Sequence, residues 1–509
     1  RANEYPREGV TGTFAVSAGA RNFTRYGYGD FYQQNSGIDL LYRVWPGTQR
    51  HLLWGDPALA SGYGRAANFC GASGLELMEP LFFKGREGSG LPGGRDAYAD
   101  ATLAKPDLDT AKFNVTYLLW GRYLYNPDTA PDVHHRYLKQ AFGPAGPALE
   151  TALAHSSRIL PLVTTAWCPS ASNHEFWPEM LTHCSILPYT TRPLFTDNPA
   201  PHNVSAISPL DPQLFTSIDQ HAKDLISGTV NARYNTSEVI AWLESLVATS
   251  TKGLAAARTA AGAKGRTPEF RRAEEDILIL NGLGSYYANL LRAGLYYSIY
   301  KLKSEPAPLN QALNSLMTAR ASWRQFSGRS AKVYGQDITY GSTPFRRGSW
   351  ADRLNLIDAD VEKLQQLVAD LVPGHVNAPA SISGSSSDVI DTTMRGLKTS
   401  PRRPIIAAKH TAPESFHPGD ELHLAIDAPP TVTAAILWYR HVNHGERWLS
   451  TAMQHRDAPF TAAIPAAYTN SPYPLQYYFE LHTAASATFH PALNPTFSNQ
   501  PYYAVHKRT

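Results

Sequence analysis

Glu79 ends the apolar run Leu75–Glu79 and is followed by Pro80 and the rings of Phe82 and Phe83. A carboxyl group held among apolar neighbours has a raised pKa and can act as a general acid near neutral pH. The plainer role for Glu79 is an ion pair with Lys84 or Arg86. Asp30 lies in RNFTRYGYGDFYQQ (21–34), a polar, aromatic, glycine-spaced loop, and is the second candidate carboxylate. Its plainer role is a turn residue after Gly29. Two carboxyls suit glycosidic cleavage, at about 5–5.5 Å apart for retention or about 6.5–9.5 Å for inversion. Around them the sequence offers sugar-contacting groups: Arg43, Trp45, Trp54, Asp56, Lys84 and Arg86. An indole stacks on a pyranose face, and a guanidinium holds a hydroxyl or a uronate carboxylate in a fork. For Arg43 the alternative is a buried structural pair, and for Trp45 it is core packing. Asp56-Pro57 reads slightly better as a helix cap with Pro at the first helical position.

These residues need strand ends to carry them. Candidate strands are Thr13–Ala18, Leu40–Trp45 and Leu75–Glu79, each an apolar run between Gly or Pro. Alternation makes Leu75, Leu77 and Glu79 one inward set, two apolar layers with the acid at the C-terminal mouth. Leu41, Arg43 and Trp45 form the matching set on the preceding strand. Helices are expected over 114–125 and 131–142, so residues 1–210 read as the C-terminal part of a (β/α)8-type barrel. Residues 211–374 read as an α-helical bundle. Its start signals are Asp211-Pro212, Ser237 and Thr267-Pro268, the last opening a long helix to about Lys303. Two more helices are expected over 310–326 and 350–371. Residues 375–403, rich in Ser, Pro, Ala and Gly, read as a linker. Alternating runs such as Leu422, Leu424 and Ile426 then predict an Ig-like β-sandwich over 404–509. The fold class is thus multidomain: α/β, then α, then β.

The order GLELMEPLFFKG, FNVTYLLWGRYLYNPDT and HSSRILPLVTTAW resembles the later half of the α-glucuronidase barrel and its helical C-terminal domain. The resemblance covers residues 10–180 and rests on Trp120, Gly121, Arg122, Asn126 and Pro127, with Ser156, Ser157 and Arg158. It implies a glycosidase barrel. That family uses one acid and an acidic pair, yet LLYRVWPGT holds no acid and the first loop offers Asn22 before Asp30. No catalytic residue is therefore carried over. Three or four strands precede the helices where a barrel needs eight, so a companion chain or an upstream precursor segment is expected to complete it.

Composition narrows the partners. Of 509 residues, 43% are hydrophobic and 17% charged, which fits a large packed core. A net charge of +3 gives no reason to expect nucleic acid. No apolar run is long enough to span a membrane. The chain opens on Arg1 and reads as processed or partial, and its low charge with many Asn, Ser and Thr leans towards a secreted or periplasmic address. Three cysteines have no metal spacing, and spacing alone leaves a Cys168–Cys184 bridge open. His134 and His135 are adjacent, cannot share a helix face, and read as surface. The glycine-spaced segment 333–353 is either a functional loop or a plug that ties the bundle to the barrel. The leading reading is a glycoside hydrolase on a polysaccharide, acidic polymers included, with no metal or organic cofactor required. Its rivals are a polysaccharide lyase acting by β-elimination on uronates, and a non-catalytic carbohydrate-binding or surface-assembly protein.

Overall fold

A computed structural model describes residues 34–35, 37, 39, 41–44, 51–69, 73–77, 98–103, 109–169, 178–180, 184–188, 203–209, 211–338, 348–371, 386–397, 403–442, 446–455 and 459–508. Strands β1 (Leu41–Val44) and β2 (Gly74–Leu77) pair in parallel, joined through helix α1 (Pro57–Phe69). This is one βα unit, and among the described residues no closed barrel is seen.

Helices follow: α2 (Asn114–Tyr125), α3 (Asp132–Phe142), α4 (Gly146–Ala166), α5 (Ile218–Ser227), α6 (Thr236–Ala261), α7 (Pro268–Lys303), α8 (Pro306–Ser330), α9 (Leu354–Asp370) and α10 (Ser386–Gly396). Their starts follow local chemistry. Thr267 accepts from the Phe270 N–H with Pro268 at the first position, as its sequence signal predicts. Asn235, slightly before the expected Ser237, forms a reciprocal capping box with Glu238 and starts α6. Asp211 instead closes a turn, its Oδ1 accepting from Gln213 and Leu214, and α5 begins later at the Ser217 cap. The segment expected as a linker contains α10, whose Ile390 is buried.

One apolar core runs from Leu52 through α2, α4, α6, α7 and α8 to Leu364. It does not break at residue 210: Leu149, Leu153 and Ile159 of α4 share it with Leu243, Leu246 and Ile277. The indoles inside it find acceptors, Trp167 on Val204 O at 3.0 Å and Trp323 on Trp350 O at 2.8 Å. Cys168 and Cys184 are buried and form no disulfide, and burial pushes the Cys184 thiol up.

The C-terminal strands form a mixed sheet, order β3 (Ser415–Phe416), β11 (Tyr503–Lys507), β9 (Leu475–Thr483), β5 (Val432–His441), β6 (Leu449–Ala452), with β10 (Ala487–His490) on β9. A small antiparallel sheet of β4 (Leu422–Ile426), β8 (Phe460–Ile464) and β7 (Gln454–His455) faces it. Leu422, Leu424 and Ile426 meet Leu437, Tyr477 and Phe479 in a second core, so the two sheets form a sandwich. Alternation holds in β4 but fails in β9, which is buried on both faces: Tyr477 and Phe479 enter this core, while Tyr478 joins the helical one.

His221 on α5 is 4% exposed, and its Nδ1 has no hydrogen-bond partner. Burial lowers its pKa from 6.5 to about 3. Between those two values the unfolded chain binds a proton that the folded chain refuses. Stability therefore falls as pH drops below 6.5, approaching about 1.4 kcal/mol per pH unit. Urea unfolding at pH 7 and pH 5 should show His221→Leu losing about 2 kcal/mol less than the parent over that interval. Equal losses would remove His221 as the cause.

Candidate functional site

The chain between β1 and α1 passes through HLLWGD (51–56), where His51, Leu52, Leu53, Trp54 and Asp56 are at most 3% exposed. Buried backbone outside a helix or sheet must still pair its N–H groups. Here side chains do it. Glu179 accepts from the N–H of His51 at 2.9 Å and of Leu52 at 2.6 Å. Asp276 accepts from Leu53 at 2.9 Å, Thr116 from Trp54 at 3.2 Å and Ser157 from Gly55 at 3.0 Å. Trp120 donates its indole N–H to Trp54 O at 3.0 Å. A Cβ on Gly55 would collide with the Leu153 side chain, so only glycine lets the segment settle on α4.

Asp56 closes the segment. Its carboxylate caps α1, accepting from Ala58 at 3.1 Å, and Arg158 holds it in a fork at 2.6 and 2.9 Å. Burial pushes this carboxyl up, and Arg158 opposes the shift. Below it, Lys112 and Asp276 form a fully buried ion pair at 3.1 Å. Tyr334 donates to Asp276 and accepts from Lys112 at 2.9 Å, and its ring stacks on Tyr98 at 5.0 Å. Burial drives Asp276 up and Lys112 down, and each partner opposes the shift of the other. A cavity of about 30 Å³ beside Lys112 has room for a water rather than a sugar.

This arrangement corrects the sugar-stacking expectation for Trp54 and bears out the cap reading of Asp56. Trp54 offers no face to a sugar, because its ring lies against Trp120 at 4.0 Å and Tyr63 at 6.2 Å. Asp56 is a cap and an Arg158 partner, with 0% exposure. Asp56, Glu179 and Asp276 are all closed to solvent and spend their oxygens on the chain, so they are framework carboxylates beneath the strand ends. The segment 333–353 takes the plug role at its described ends. Trp350, 0% exposed, donates to Glu179 O at 2.8 Å, and Asp337 accepts from Gly348.

Glu79, Asp30, Trp45, Lys84 and Arg86 lie outside the described residues. Arg43 is placed by its backbone alone, in β1 opposite Glu76. Leu75 and Leu77, two of the expected inward set of β2, pack against the helical core. Strand alternation then puts half-buried Glu76 on the other face. Glu76 was hidden in the sequence because GLEL reads equally well with either face inward.

His134 also departs from the surface expectation, whereas His135 is exposed as expected. His134 is 4% exposed, and both rings reach Glu150 on α4, Nε2 to carboxylate oxygen at 2.9 and 3.1 Å. Burial pushes the Glu150 carboxyl up, but the two imidazoles hold it below the usual value. Adjacent helical residues diverge by about 100°. Glu150 rises between them from the neighbouring helix, which no spacing within α3 could reveal.

Among the described residues no helix is long and apolar enough to cross a membrane. No protein-family model matches the chain, and no curated protein matches it. Among solved structures it is similar to a protein described as a GH138 enzyme targeting pectin rhamnogalacturonan II, with a TM-score of 0.52 and 13% identity. The match covers 66% of this chain and 48% of that one, so the chain spans about half the length of the protein it resembles in fold.

Proposed function

We propose that the protein is a carbohydrate-active hydrolase that cleaves glycosidic bonds in an acidic plant polysaccharide, pectin being the first substrate class to try. The observation that carries this reading is the fold likeness to a pectin-targeting GH138 enzyme over 66% of the chain. The parallel β1–β2 pair supports it, as does the buried 51–56 segment, held by helices in the order that the α-glucuronidase-like motifs imply. Trp120, Ser157 and Arg158, three residues of those motifs, each bind the 54–56 stretch. The strands read as part of a (β/α)8-type barrel, completed by a companion chain or by further residues of a precursor. Export to the cell exterior or periplasm fits a polymeric substrate.

In this reading Glu79 protonates the leaving oxygen, and Asp30 activates water or attacks the sugar. Arg43, Trp45, Lys84 and Arg86 hold the polymer. Glu76 is the carboxylate that the β2 face assignment adds. A general acid contributes about 10²–10⁴-fold, so Glu79→Gln should lower kcat by that factor while oligosaccharide binding persists. Reducing ends and ultraviolet absorbance are followed during digestion of rhamnogalacturonan II by the parent, Glu79→Gln and Glu76→Gln. Reducing ends without absorbance support hydrolysis. New absorbance shows an unsaturated product and a lyase, and binding without either product shows a binding protein. Full activity in Glu79→Gln with loss in Glu76→Gln transfers the acid role to Glu76.

A further inference from the structure

We propose that His134, His135 and Glu150 form a binding site for a divalent transition-metal ion, with zinc the best fit to the donor set. The site is independent of the polysaccharide reading. It joins the first turn of α3 to α4 through three side chains whose ligand atoms all lie within 4.8 Å of one another. Each imidazole Nε2 already lies beside one Glu150 oxygen, His134 at 2.9 Å from Oε1 and His135 at 3.1 Å from Oε2. Zinc takes imidazole nitrogen and carboxylate oxygen at about 2.0–2.2 Å, which sets tetrahedral edges of roughly 3.3 Å. The His134–Oε1 edge is near that length, and the exposed His135 can swing to bring its nitrogen to the same ion.

The burial pattern favours a cation. The His134 imidazole is shut away from solvent and aimed at a carboxylate that also receives His135. Two imidazoles and one carboxylate suit Zn²⁺, Cu²⁺ or Ni²⁺, whereas Ca²⁺ and Mg²⁺ prefer all-oxygen sets. Three protein ligands leave a fourth position, which opens to solvent beside His135. The ion would tie α3 to α4.

The test uses the full chain, stripped with a chelator and titrated with zinc chloride by calorimetry. The expected result is one equivalent bound per chain, an upward shift of the melting temperature on loading, and no response to calcium or magnesium. His135→Gln changes an exposed residue, and Glu150→Gln keeps the shape of its side chain; each should weaken zinc at least tenfold and abolish the melting shift. His155→Gln, a histidine on the same helix as Glu150, should leave binding unchanged. Unaltered one-equivalent binding in both His135→Gln and Glu150→Gln, or no binding by the parent at micromolar zinc, overturns the proposal. Activity on polysaccharide plays no part in this readout, so failure here and failure of the hydrolase reading are separate outcomes.

Discussion

Asp276→Ala is expected to lower unfolding stability by about 3–5 kcal/mol, because it strands a buried ammonium group. Lys112 and Asp276 both have fully buried side chains. Removing the acid also takes an acceptor from the Leu53 N–H and from the Tyr334 hydroxyl. Lys112→Met strands the carboxylate instead and should cost a similar amount. The double variant Lys112→Met with Asp276→Ala removes both charges together, so its loss should fall well short of the sum of the single losses. Chemical denaturation of the four proteins closes the cycle. Single losses under about 1 kcal/mol would show that the pair does not hold the segment, since surface-like pairs contribute in that range.

Arg403→Ala is expected to uncouple the sandwich from the helices. Its guanidinium donates five hydrogen bonds: two to the Glu238 carboxylate at 2.7 Å each, and one each to the carbonyls of Ala232, Ala487 and Arg233 at 2.6–2.8 Å. It also lies over the Tyr234 ring at 5.0 Å. Glu238 belongs to the α6 capping box, while Ala487 belongs to β10, so one side chain bridges a helix start and a sheet. Losing a mostly buried fork of this kind should cost about 3–5 kcal/mol, much of it from the unpaired Glu238. Arg403→Lys keeps the charge but cannot present five planar donors, and should recover less than half. Calorimetry should show the sandwich melting as a separate step in Arg403→Ala. A single transition, unshifted from the parent, would refute the coupling.

The sequence made the helices legible wherever cap and period agree. The α7 start at Thr267-Pro268 needed only neighbouring residues, whereas α2 begins without a side-chain cap. The sandwich was readable from β4, which has one wet face, and from β9, whose Leu475, Tyr477, Phe479 and Leu481 all enter its core while Tyr478 turns to the helices. The strand reading located β1 and β2, but a four-residue strand with flanking apolar groups carries no directional signal of its own. Trp54 was misjudged, and the Arg158 partner of Asp56 missed, for another reason. Their partners Trp120 and Arg158 lie 66 and 102 residues away, and no local pattern announces such pairings. The Glu150 convergence of two adjacent histidines was invisible for the same cause.

The HLLWG stretch has an unusual kinetic signature built into it. Its amides belong to neither helix nor strand, yet their deuterium uptake should be as slow as that of the bundle interior, because the oxygens that shield them sit on Thr116, Ser157, Glu179 and Asp276. Solvent reaches the Leu53, Trp54 and Gly55 protons only when α7, α2 and α4 part. A connector that looks like a loop thus reports on the opening of the whole helical body.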